Sequence, residues 1–508
     1  MSKQHDDARA LKPADKLANA ANWKHLARWN GAGYYELETE DTGDVPVRLF
    51  LTPSLLREAE ETLYRQIVNA TRFPGTRMVV ITPDTHYGYG VPVGCVLITD
   101  GKHGAVAMGP VGYDIGCGMM SARSEVEAER ATAEKRLEFN RAVMERVDMG
   151  FGGKSRKLGK LSEKEFQELV RGGAEYYVEK YGATFDRSRA ERHRIPVDDG
   201  WQIPWGGKGR PERGRDQLGS LGGGNHFIEL QRSEQTGTLF LQVHTGSRGF
   251  GHGLATNYFE LAREEHPELM KDIDLGFFTP DSRHYRDYLN AVAAGGNYAI
   301  LNRLVIFEQV ADAFREVFDA ELELIYEISH NLVQKEWHEE LGEVWVHRKG
   351  ATRAFPAGHP ALAGTFWEKT GHPVLIPGSN KDWSYILRPL EGARLSGYSV
   401  NHGAGRRLSR GAASRTLSQR QMDDEYRAAG ILVNVNGRVP LDEAAPAYKP
   451  SEEVVAAVVG AGLAEVEHRL WPLASLKGVD ERKGGRRSKG GRPGKTGRAE
   501  KKKSSEHY

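Results

Sequence analysis

The chain has 508 residues, 39% of them apolar, enough to bury one large domain or two to three smaller ones. Its two cysteines, Cys95 and Cys117, exclude a disulfide scaffold. The net charge of +1 conceals an asymmetry, because Arg482 to Lys503 carries eleven Lys or Arg against one Glu and leaves the body mildly acidic. An acidic body argues against a broad cationic surface, so a polyanion would need a focused basic groove, bound cations or the tail itself.

Residues 1–25 are polar and are expected to form a flexible segment. With Lys3, His5, Asp6, Asp7 and Arg9 they lack the apolar stretch of a signal peptide, and a cytoplasmic location is expected. Tyr34 to Leu51 alternates enough for short strands. Pro53 to Ala70 reads as one helix with Leu55, Leu56, Ala59, Leu63, Ile67 and Val68 on its apolar face. A strand from Met78 to Thr82 runs into the loop Pro83-Asp84-Thr85-His86-Tyr87-Gly88-Tyr89-Gly90. Ser162 and Glu165 form a capping box that opens a helix reaching about Tyr181 and closing at Gly182. Gly206 to Gly224 reads as loop, and Leu239 to Val243 as a short strand ending at His244. A long helical pattern from Tyr285 to about Ile328 is expected to break into two helices at Gly295-Gly296. Val454 to Ala464 is apolar but too short to span a bilayer. No repeat period is found, and residues 479–508, rich in Gly, Lys and Arg, are expected to be a disordered basic tail. The fold class expected is α+β, with one large catalytic domain of mixed sheets and helices over residues 26–478.

Chemistry-bearing residues gather in two kinds of segment. Asp114 and Cys117 sit three residues apart between glycines that let both side chains point to one side. His226, His244 and His330 each stand where an apolar segment meets a polar or glycine-bearing one. Any one of these histidines alone is more often a hydrogen-bonded structural residue. As a set, one Asp, one Cys and three His could supply two cations with the thiolate shared, and their softness points to zinc, manganese or cobalt over calcium. The second kind is Ser399-Val400-Asn401-His402-Gly403-Ala404-Gly405-Arg406, where small residues would admit a phosphate, an arginine could hold it, and an imidazole could attack phosphorus. A glycine-rich turn with a structural histidine is the alternative.

Together these segments resemble the RtcB family of RNA-splicing ligases, over most of the chain from about Leu51 to Gly478. The resemblance rests on the loop Asp84 to Gly90, Gly112 to Gly118, Leu221 to Glu229, His244 to Gly249, His330-Asn331, Val346 to Pro356, His402 to Arg406, Ala447-Tyr448-Lys449 and Leu476-Lys477-Gly478. It implies an RtcB-like fold and a ligase, dependent on GTP and two Mn2+ ions, joining an RNA 3′-phosphate or 2′,3′-cyclic phosphate end to a 5′-hydroxyl end. It further implies that Asp114, Cys117, His226, His244 and His330 are metal ligands, with Cys117 bridging, and that His402 becomes covalently guanylylated. Asn225, Glu229, Ser379, Ser384, Gly403, Ala404, Gly405, Arg406, Tyr448 and Lys477 match guanylate-binding positions. Arg248 and Arg410 are expected to contact RNA phosphates, and an archease-like activator is a possible partner.

Three departures from the family pattern stand out. Asn380-Lys381-Asp382-Trp383 replaces Met-Gly-Thr-Ala in the nucleotide-pocket loop, where Asp382 would either read guanine or pair with Lys381 or a nearby arginine. Gly94-Cys95 stands for Gly-Gly, with Cys95 read as core packing. The basic tail lies beyond the usual family end. A diverged paralogue serving RNA repair is therefore expected, and the rival is a dinuclear metal phosphodiesterase that acts on RNA ends without ligation.

Overall fold

A computed structural model describes residues 17–183, 185, 194–269 and 272–478. The basic tail 479–508 and residues 1–16 lie outside the described residues. Within the segment expected to be flexible, Trp23 is fully buried and stacks on Tyr64, so packing begins before residue 26.

Two mixed sheets organise the chain, as the α+β expectation requires. One orders the strands Arg28–Trp29, Tyr35–Glu36, Val47–Leu49, Thr76–His86, Val93–Asp100, Gly342–Lys349 and Asn331–His338, with a single parallel pair between Val47–Leu49 and Thr76–His86. The other orders Glu323–Ser329, Gly118–Glu127, Thr238–Thr245, Phe227–Ser233, Ala464–Lys477, Ser384–Pro389 and Val374–Ile376, with Leu432–Val433 adding a parallel partner to Ala464–Lys477. The largest core lies between this second sheet and the helices Ala133–Arg146, Glu163–Tyr181, Arg248–Glu265 and Tyr285–Phe318. No described helix is long and apolar enough to cross a membrane.

Local signals mark some boundaries well. Ser162 accepts from Glu165 N at the start of Glu163–Tyr181, and Gly182 closes that helix at φ 67°, a left-handed conformation that glycine adopts without strain. Two expectations are corrected. The predicted helix Pro53 to Ala70 is two helices, Pro53–Glu58 and Leu63–Thr71, because Ala59 leaves helical geometry with ψ 137°. Leu55, Leu56, Leu63, Ile67 and Val68 still enter one core, so the apolar stripe survives a break that periodicity cannot register. Conversely, Tyr285–Phe318 is one helix of 34 residues that runs through Gly295-Gly296. The pattern's remainder is the strand Glu323–Ser329.

Those glycines serve contact instead of a break. A Cβ on Gly295 would come within 2.9 Å of Ile115, and one on Gly116 would meet Ala299 at 2.7 Å and Gly296 at 3.0 Å. The Asp114–Cys117 turn therefore rests directly on the helix backbone.

Candidate active site

Four of the five predicted metal ligands stand at one end of the second sheet. Cys117 immediately precedes Gly118–Glu127 and His226 precedes Phe227–Ser233, whereas His244 lies near the end of Thr238–Thr245 and His330 follows Glu323–Ser329. These neighbours are antiparallel, so two strand starts and two strand ends fall at the same edge. The register sets Gly118 opposite both Thr245 and Ser329, and His244 opposite Phe227. Asp114 joins them from the glycine-flanked turn, where its carbonyl accepts from Cys117 N at 3.1 Å.

The donor atoms converge. Cys117 Sγ lies 3.3 Å from His244 Nε2 and 3.5 Å from His226 Nε2, His244 Nε2 lies 3.3 Å from His330 Nε2, and His226 Nε2 lies 3.2 Å from Asp114 Oδ2. They form two triads that share Cys117: Asp114, Cys117 and His226, and Cys117, His244 and His330. His226 Nδ1 faces Leu221 O at 3.0 Å and His244 Nδ1 faces Asn225 O at 3.1 Å. A carbonyl only accepts, so the proton sits on Nδ1 and the Nε2 lone pair points into the cluster, as a metal-binding imidazole requires. Burial first, and then neighbouring imidazoles, holds His244 and His330 well below the usual histidine range. Burial opposes the charge of Asp114, but the adjoining His226 and the Ser247 N–H, which donates to it at 2.9 Å, outweigh burial and hold the carboxyl well below the usual carboxylate range. Burial and then Asp114 push the Cys117 thiol up, an effect that a bound cation reverses by taking the thiolate. The residues present thus fit two soft-to-borderline cations.

Arg303, fully buried on the helix Tyr285–Phe318, ties these strand ends together. It ion-pairs with Glu327, donates to Gly116 O at 2.7 Å and Thr245 O at 2.9 Å, and reaches Ser329 Oγ at 2.8 Å. Each of those three acceptors belongs to a residue adjacent to a cluster ligand.

His402 follows the strand Ser399–Asn401 and faces the cluster, its ring centroid 4.6 Å from that of His330. Its Nδ1 meets the buried Asp84 Oδ2 at 2.7 Å, which leaves Nε2 as the free ring nitrogen. Burial disfavours the Asp84 charge, but His402 and Thr82 hydrogen bonds keep its carboxyl below the ordinary range. Gly405, at φ 76°, packs so closely on Asp84 O that a Cβ would come within 2.0 Å. Small residues here admit a neighbouring chain segment as well as any phosphate.

Beside His402 lies a cationic pocket built around one carboxylate. Glu443, 2% exposed, accepts from Arg406 at 3.2 Å, Arg410 at 3.0 Å and the Tyr448 hydroxyl, with Lys477 Nζ 3.8 Å away. Lys477 lies opposite Phe227 and Ser475 opposite Glu229, which brings the end of Ala464–Lys477 to the ligand edge of the sheet. Burial pushes Glu229 up to about 7, against hydrogen bonding from Gln231 and the charge of Lys477.

Among known families, the one described as tRNA-splicing ligase RtcB matches residues 66–478. The tRNA-splicing ligase RtcB of Pyrobaculum aerophilum is 35% identical over 466 residues, covering 85% of this chain and 95% of its own. The RNA-splicing ligase RtcB of Mycobacterium tuberculosis is 36% identical over 440 residues, covering 81% of this chain and 100% of its own. The chain belongs to the RtcB family.

In this RtcB-family chain the predicted ligands, His402, Arg406, Tyr448 and Lys477 lie around one site, and other residues serve the scaffold. Ser384 accepts from Gly378 N at 3.0 Å and closes the pocket loop, which approaches Gly403 through Pro377. Arg248, expected on RNA phosphate, is buried and donates to Ser220 Oγ and Gly150 O, whereas Arg410 keeps 30% of its side chain exposed. Asp382 pairs with neither Lys381 nor an arginine: its oxygens accept from Trp383 N and Ser451 N at 2.8 Å each, while Lys381 pairs with Glu425. It therefore anchors the loop to the start of the helix Ser451–Gly460. Cys95 is fully buried, and burial pushes its thiol up to about 12, in keeping with packing. Sequence reading missed Asp84, Arg303 and Glu443. Asp84 lay inside a recognised motif without a role, whereas Arg303 on an apolar helix and Glu443 near Tyr448 carry no local signal.

Proposed function

We propose that this chain is a GTP-dependent RNA ligase of the cytoplasm, joining 3′-phosphate or 2′,3′-cyclic phosphate ends to 5′-hydroxyl ends in RNA repair or tRNA splicing. The observation that carries the reading is His402 itself: Asp84 meets its Nδ1, its ring packs against that of His330 in the Asp–Cys–His cluster, and Arg406 lies four residues on in the same loop. Two Mn2+ ions held by Asp114, Cys117, His226, His244 and His330 would neutralise phosphate charge and favour pyrophosphate departure.

His402 Nε2 attacks the α-phosphorus of GTP, the N–P bond forms as pyrophosphate leaves, and Asp84 stabilises the charge that develops on the ring. The histidine then transfers GMP to the RNA 3′-phosphate, a cyclic end having first been opened by water. Attack by the 5′-hydroxyl on the activated phosphate closes the strand and releases GMP. Arg406, Tyr448 and Lys477 hold the nucleotide and Glu229 accepts guanine N–H groups, a role supported by its burial near Lys477, whereas Asp382 anchors the loop through backbone N–H groups.

Incubation with radiolabelled GTP and Mn2+ followed by denaturing electrophoresis tests the reading. A covalent label is expected on the wild type and none on His402→Ala at unchanged metal content. A label that persists in the variant would remove His402 as nucleophile, and an unlabelled wild type that still opens cyclic phosphates would establish the phosphodiesterase instead.

A further inference from the structure

Three consecutive glycines lead into Asn225 and His226, and a different group presses on each. A Cβ on Gly222 would come within 2.2 Å of an Arg248 nitrogen and 2.7 Å of His226 Nδ1, one on Gly223 within 3.0 Å of the Phe151 ring, and one on Gly224 within 2.8 Å of the Arg410 guanidinium. The Phe151 ring therefore shares a wall with a metal ligand and with a cation of the Glu443 pocket. Even so, Phe151 is 40% exposed.

Its loop is held in place. Gly150 N donates to Gly222 O at 2.8 Å, and Phe151 O accepts from Gln217 at 3.2 Å and Arg248 at 3.4 Å. Beyond the ring, Lys154, Arg156 and Lys157 are exposed and pair with Asp216, Asp148 and Glu308, and Lys160 is exposed as well. A fixed aromatic face open to solvent, bordered by cations and set against a phosphate-processing centre, has the makeup of a base-stacking platform in single-strand binding.

We propose that Phe151 stacks on the unpaired base that carries the RNA 3′-phosphate. The proposal rests on the RNA-end reading above and adds the contact that holds the strand while His402 and the metal cluster act.

Fluorescence anisotropy of a short single-stranded RNA with a 3′-phosphate, intact or abasic at its last nucleotide, tests it on the full chain with Mn2+. Removing that base should weaken binding to the wild type and to Phe151→Tyr about tenfold, the order of one base–aromatic stack, and should change binding to Phe151→Ala little. Equal losses in wild type and Phe151→Ala would overturn the platform. A Phe151→Ala defect confined to GTP self-labelling would also overturn it, by seating the ring under guanine. A wild type that neither self-labels nor seals would refute the ligase reading, while the binding comparison would still judge Phe151.

Discussion

Glu229 combines deep burial with a pKa pushed up to about 7, far above an ordinary glutamate. Because the folded value exceeds the unfolded one, the protonated side chain stabilises the fold fully at acid pH, and that contribution is lost as pH rises through about 7. Guanine binding has the opposite sign. Only the carboxylate can accept both N1–H and the amino group, so the GTP concentration that half-saturates self-labelling should fall between about pH 6 and about pH 8. Glu229→Gln should bind GTP more weakly and flatten this dependence. Matching pH profiles in the two proteins would take Glu229 out of guanine recognition.

At the scale of elements, the Asp–Cys–His cluster depends on a helix that contributes none of its residues. Arg303 holds the carbonyls of Gly116 and Thr245, and Gly295 and Gly296 let the Asp114–Cys117 turn lie on the helix backbone. Arg303→Met removes the buried cation that ion-pairs with Glu327 and should cost about 3–5 kcal/mol. Restoring neutrality with Glu327→Gln should recover much of that stability, but metal affinity should stay low because the two carbonyls still lack their donor. Thermal melts beside Mn2+ titration calorimetry separate the effects; equal recovery of both would leave Arg303 a stability residue only. The same helix shows why Gly295-Gly296 misled the sequence reading. A double glycine signals a break in isolation, yet here close approach to Ile115 and Gly116 compensates for the lost propensity.

For the whole molecule, charge is divided between an acidic body and a basic tail. Each phosphate neutralised on a single strand contributes about 0.7 to the salt slope, so deleting 479–508 should flatten the salt dependence of RNA binding by about 2 to 4 if a third to a half of the cations engage. Self-labelling by GTP should survive the deletion, since His402 and Lys477 precede it. An unchanged slope would assign the tail to another partner.

Residue type and order were enough to single out the residues of the Asp–Cys–His cluster, the His402 loop, the capped helix Glu163–Tyr181 and the α+β class, because motifs and caps are local and their chemistry is carried by side-chain identity. Convergence was not legible in this way. Cys117 and His330 are far apart in the chain and meet because antiparallel register brings alternate strand starts and ends to one sheet edge. The partners of Asp84, Arg303 and Glu443 likewise lie on other elements. A buried charge draws its role from what surrounds it, and those surroundings exist only once the sheets and the long helix have packed.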